Sequence, residues 1–162
     1  MEFFQWLENT GFSTWVRESP RIWAFPFILL IHTIGMALCV GVSAGINLRI
    51  LGFAPGLRLA PLARLFPILW LGFWMNAITG TILVMQDATN KLMNVDFYTK
   101  MVFIALALVV LRMIKTRVFL NPQLDDTAIN SNAKVLAGLS LLFWVGAITC
   151  GRLLAYVGPI GG

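Results

Sequence analysis

From Ile22 to Ile46 the chain reads IWAFPFILLIHTIGMALCVGVSAGI, without one charged side chain. A helix needs about 20 apolar residues to cross a bilayer, and this run supplies them. No feature constrains the fold more. The run also holds the only histidine of the protein, His32, about ten residues in. An ionisable ring at that depth is penalised by hydrocarbon unless it has a partner, so it marks a candidate functional site.

Three further apolar runs follow, and the totals agree with them. The 162 residues are 59% hydrophobic and 12% charged, with mean hydropathy +0.83. Soluble domains carry about twice that charged fraction. So much apolar side chain in so short a chain makes lipid its solvent. The expected fold is an all-α integral membrane protein, a four-transmembrane-helix bundle with an N-terminal amphipathic interfacial helix. Residues 1–20 form the amphipathic segment and 21–162 the transmembrane domain, with spans at about 22–47, 67–86, 98–118 and 134–156.

In the first segment Phe3, Phe4, Trp6, Leu7, Phe12, Trp15 and Val16 interleave with Glu2, Gln5, Glu8, Arg17 and Glu18. That mixture suits a membrane surface, with a break expected near Gly11. The early acids and the lack of a basic opening argue against a cleavable signal. Pro26 falls in the first turn of the first span, where a missing amide hydrogen costs little. Asn121–Pro122 is expected to end the third span.

The connectors set the expected orientation. Arg49, Arg58 and Arg64 lie between the first two spans without an acid. Arg112, Lys115, Arg117 and Lys134 lie between the last two, against Asp125 and Asp126. Basic loops stay cytoplasmic, which places both termini outside. The net charge of +5 sits in these short clusters and is no nucleic-acid footprint. Cys39 and Cys150 fall in different spans towards opposite sides, too far apart for a disulfide, and read as small buried hydrophobes.

On a helical wheel His32, Gly35, Met36, Cys39 and Ser43 share one face, with Asn47 nearby. Gly41 and Gly45 lie roughly opposite, at a spacing that lets helices approach closely. Three readings of His32 stand open. It is a packing residue bonded to Asn76, Thr79 or a backbone carbonyl, since the second span offers a small polar face in Gly72, Asn76, Thr79 and Gly80. Or it is the axial ligand of a tetrapyrrole, haem b above all, because imidazole in a helical bundle is a common ligand for iron. Glycines such as Gly35 then leave room for the flat ring, Lys100 and Arg152 meet the propionates, and Met75 lies at the right depth for a second ligand. A five-coordinate iron, a His32 from a second subunit, or a chlorin also fits one histidine per chain. The third reading is copper, held by His32 with Met36 at i and i+4; Cys39 is about 10 Å further along the axis. Lys100 and Arg152 each read equally as interface anchors. The tryptophans read as belt and packing. One histidine serves no hydrolytic nucleophile, and no phosphate loop or paired intramembrane carboxylate is present.

The segments HTIGMALCVGVSAGINLRILG, FWMNAITGTILV, NVDFYTKMVFIALALVVLRM and LSLLFWVGAITCGRLLAY, in that order, resemble a small bacterial group of four-helix inner-membrane proteins, distantly similar to the copper-resistance D-type membrane domain. The resemblance covers most of the chain after Pro20. It implies a four-helix bundle with its histidine facing the interior and a link to redox or metal metabolism at the outer membrane face. It implies no particular reaction, and the single histidine departs from the ligand-rich pattern of copper-transporting relatives.

The leading expectation is a haem-b-binding membrane subunit supporting electron transfer, alone as a homo-oligomer or within a larger respiratory or oxidase-type complex, without catalysis by this chain alone. The alternatives are a copper transport or handling protein and a cofactor-free structural accessory subunit.

Overall fold

The computed structural model describes residues 2–120 and 129–156, the last two by their backbone alone. The expected break at Asn121–Pro122 and the acids Asp125 and Asp126 lie outside the described residues. Regular structure within them is entirely helical, and four of the helices are long and apolar enough to cross a membrane.

The N-terminal segment forms two short helices, α1 (Glu2–Glu8) and α2 (Gly11–Glu18). The break falls one step before the expected place, because Thr10 caps α2. Its hydroxyl accepts from Ser13 N–H at 3.4 Å and donates to the Leu7 carbonyl at 2.9 Å. Neither helix floats free. Val16 is fully buried, Arg17 donates to the Gln86 carbonyl at 3.3 Å, and Glu8 accepts from Thr89 N–H at 2.6 Å. The opposite faces leave Phe3, Trp6, Phe12 and Trp15 exposed. The segment is therefore a docked cap with an aromatic outer surface.

The first long helix, α3, runs Phe25–Leu51, starting three residues later and ending four later than the expected span. Residues 22–24 form a turn, and Pro26 sits in the first helical turn. The end is set by Gly52, whose φ of +106° places it in the left-handed region while its N–H reaches the Arg49 and Leu48 carbonyls. Arg49 is 4% exposed, and its guanidinium donates to the Leu57 and Pro55 carbonyls, drawing the connector back over the helix end. Then come α4 (Leu59–Leu62), a 3₁₀ turn, and α5 (Phe66–Met85). A short helix, α6 (Ala88–Leu92), occupies what reads in sequence as a polar connector. The third span is α7 (Val95–Ile114), continued by a π-helical turn to Phe119, and the fourth is α8 (Ser131–Tyr156).

The helices pack as two tight pairs, α3 with α5 and α7 with α8, joined through α3 and α8. The joint is polar and fully buried. Asn47 Nδ2 donates to Ser140 Oγ at 2.8 Å and to Ser43 Oγ at 3.4 Å, and Trp144 Nε1 donates to Ser43 Oγ at 3.0 Å. Hydrogen bonds between apolar helices fix their rotation, because greasy faces alone are interchangeable. Around this joint lie Ile46, Ile50, Leu59, Phe66, Leu69, Leu111 and Ile114, all buried. The core thus sits toward the end of the bundle that carries Arg49. Toward the other end His32 and Lys100 are only half-buried.

Candidate cofactor site around His32

The site begins with two glycines. A Cβ on Gly35 would lie 2.9 Å from the Gly72 carbonyl oxygen and 3.0 Å from both Asn76 N and Met75 Cβ. A Cβ on Gly72 would lie 2.7 Å from Cys39 N and from the Gly35 carbonyl oxygen. Only hydrogens fit there, so α3 and α5 touch backbone to backbone. Gly35 therefore seats a helix at this contact and leaves no gap for a flat ring between α3 and α5. Gly41 and Gly45, which share the small-xxx-small spacing, have nothing within 4 Å of an added Cβ.

The close crossing brings His32 onto α5. Its Nδ1 lies 2.9 Å from Thr79 Oγ1, and the ring lies against Gly80, where an added Cβ would come within 3.1 Å of Cε1. Thr79 in turn donates to the Met75 carbonyl at 2.6 Å. A hydroxyl has one hydrogen, and this one is committed, so Thr79 accepts from Nδ1–H. With Thr79 accepting, the ring carries its hydrogen on Nδ1 and a lone pair on Nε2. No hydrogen bond from Nε2 occurs among the described residues.

The Lys100 ammonium is the charge that acts on the His32 ring. The Cδ, Cε and Nζ of this lysine lie 3.5–3.6 Å from where a Cβ on Gly151 would sit. It is half-buried in α7 and makes no ion pair or hydrogen bond with any described residue. Lys91, on α6, adds a second positive charge acting on Lys100. Burial pushes the Lys91 ammonium below the ordinary lysine range, Asp87 at 3.9 Å pulls it back up, and the group also donates to the Leu83 carbonyl.

The residues singled out in sequence divide accordingly. His32, Gly35 and Met75 meet at one α3–α5 crossing, and Lys100 faces the histidine. Met75 contributes its carbonyl to the Thr79 relay and its Cβ to the Gly35 contact. Arg152 is exposed and bonded to none of them. Lys91 escaped sequence reading, although its position four residues after Asp87 was available as a signal for a short helix. Among the described residues no group of three His, Cys, Asp or Glu side chains converges on one point.

The donor set fits an axially ligated haem in two respects. An imidazole with one nitrogen held by a hydrogen bond and the other bearing a free lone pair is how proteins prepare a histidine ligand. A half-buried ammonium with no acid partner among the described residues suits a propionate. The macrocycle supplies four nitrogens, so one protein ligand suffices. The backbone contact at Gly35 and Gly72 restricts any such ring to the side of His32 that faces Lys100.

No protein-family model, no curated protein and no solved structure matches this chain.

Proposed function

We propose that this chain is a haem-b-binding subunit of a bacterial cytoplasmic membrane that supports electron transfer, as a homo-oligomer or inside a larger respiratory or oxidase-type assembly. The observation that carries the reading is the orientation of His32: Nδ1–H is held by Thr79, and the Nε2 lone pair has no partner among the described residues. His32 would hold the iron through Nε2, Thr79 would fix its tautomer, and Lys100 would balance a carboxylate. Bound haem supplies a one-electron iron couple whose potential answers to burial and axial ligation. Met75 lies in the closed α3–α5 contact, so with one histidine per chain a second protein ligand, if any, would come from a second copy. The arginine-bearing connectors face the cytoplasm and both termini lie outside, on the distribution of Arg49, Arg58, Arg64, Arg112, Lys115 and Arg117.

The absorbance spectrum of protein purified from membranes supplemented with haem precursor tests this. A Soret band present in the wild type and absent in a folded His32→Ala variant supports it. A colourless wild type that takes up no added haemin overturns it.

One observation favours a second reading. The His32 ring also fills the notch above Gly80 and bridges two helices. That is sufficient employment for a packing residue in a cofactor-free accessory subunit. Copurification with a larger colourless membrane complex, lost on His32→Ala, distinguishes this reading from the first.

A further inference from the structure

A cavity of about 950 Å³ opens where α1, α2 and the start of α3 meet the junction of α5 and α6. Its size is within the range of ligand sites. Arg17, Arg21, Gln86 and Thr89 line one part of it, and Ile22 and Phe25 another. It sits at the level where two apolar helices begin and end, Phe25 being the first residue of α3 and Met85 the last of α5.

The charges on its wall are unequal in availability. Both acids are engaged: Glu8 accepts from Thr89 N–H, and Asp87 accepts from Asn90 Nδ2 at 2.7 Å and pairs with Lys91. Arg17 is partly engaged with the Gln86 carbonyl and Glu18. Arg21 makes no ion pair with any described residue, and its guanidinium is open to solvent. The Thr89 hydroxyl is buried and has no hydrogen-bond partner among the described residues, which buried polar atoms rarely tolerate. With both acids engaged, the Arg21 guanidinium and a second guanidinium, that of Arg17, are the charged donors left beside exposed Ile22 and Phe25, which matches an amphiphile with an anionic head.

We propose that this cavity binds the phosphate head of a membrane phospholipid. Arg21 and Arg17 take the phosphate oxygens, and the acyl chains pass over Ile22 and Phe25 toward α3. The bound lipid ties the docked N-terminal cap to the bilayer. This rests on the four long helices crossing a membrane and is independent of any haem at His32.

Native mass spectrometry of the full-length protein, extracted from the membrane fraction and titrated with phosphatidylglycerol, tests it; recovery in that fraction checks the membrane reading separately. One lipid per chain is expected, with at least a fivefold loss of retention in Arg21→Gln and none in Arg64→Gln, which removes the same charge from the connector after α3. Arg21 is exposed and its side chain bonds to no described residue, so its variant is expected to fold as the wild type does. Equal retention of diacylglycerol, which lacks the phosphate, overturns the proposal. So does equal retention by Arg21→Gln, or displacement of the lipid by millimolar inorganic phosphate, which would assign the site to the free anion.

Discussion

His32 and Thr79 stand 47 residues apart in the chain and 2.9 Å apart in space, and the hydroxyl between them is spoken for on its other side by the Met75 carbonyl. The pair converts an imidazole with two equivalent options into one with a defined lone pair. Thr79→Val keeps the shape and removes the relay. Outer-shell partners of this kind are worth about 10- to 100-fold in ligand affinity. Titration of the apoprotein with haemin should show a loss of that size in Thr79→Val and near wild-type affinity in Thr79→Ser. Equal affinity in Thr79→Val would separate the tautomer from ligation.

Four glycines of α3 and α5 should fall into two classes. Gly35→Ala and Gly72→Ala drive a methyl into backbone at 2.7–3.0 Å, and overpacking of this kind costs about 1–3 kcal/mol. Gly41→Ala and Gly45→Ala meet open space and gain helix propensity, about 1 kcal/mol in the stabilising direction. Thermal unfolding in detergent should order the four variants in this way.

In the α3–α8 joint the smaller change should do the greater harm. Ser43→Ala leaves the buried Trp144 N–H without its acceptor and takes one bond from Asn47, at about 1–3 kcal/mol. Asn47→Leu removes a side chain whose Oδ1 is already buried without a partner, so its loss is offset by the relief of that group and should stay below about 1 kcal/mol. Equilibrium unfolding of both variants in mixed micelles decides the order.

Arg49 should prove irreplaceable by lysine. Its fork reaches two carbonyls, those of Leu57 and Pro55, and an ammonium on a flexible stem does not reproduce that geometry. Arg49→Lys should speed proteolytic nicking between residues 53 and 58 severalfold while leaving helix content unchanged by circular dichroism.

The α6 cap should grow more stable as pH rises. Burial depresses the Lys91 affinity for protons in the folded state, so between the folded value and the ordinary lysine range the unfolded chain binds more protons. Stability therefore increases with pH across that window, and the burial cost is fully present below it. Lys91→Gln should flatten the slope. Hydrogen exchange of residues 86–94 between pH 7 and pH 10 measures it, in wild type and variant alike.

Length, apolarity and stop signals made the four long helices legible in the sequence. A charge-free run leaves a chain no structure but a helix that satisfies its own backbone, and Pro26 and Gly52 mark where α3 starts and stops. The face carrying His32, Gly35, Cys39 and Ser43 was equally legible, because 3.6-residue periodicity places those side chains together in any straight helix. What the sequence could not resolve is which of several equivalent contacts is made. Gly35 and Gly41 are both small residues on the same helix, yet only Gly35 meets a neighbouring backbone, since that choice depends on how α5 is rotated and where it crosses. Thr79, Asn76 and a backbone carbonyl were equal candidates for His32 until the crossing at Gly72 brought the Thr79 hydroxyl to the ring. Lys100 and Arg152 look alike as basic residues near helix ends, but one is half-buried with its charge acting on the histidine and the other is exposed. One-dimensional pattern fixes the direction of a side chain relative to its own helix; only packing between helices fixes what it meets.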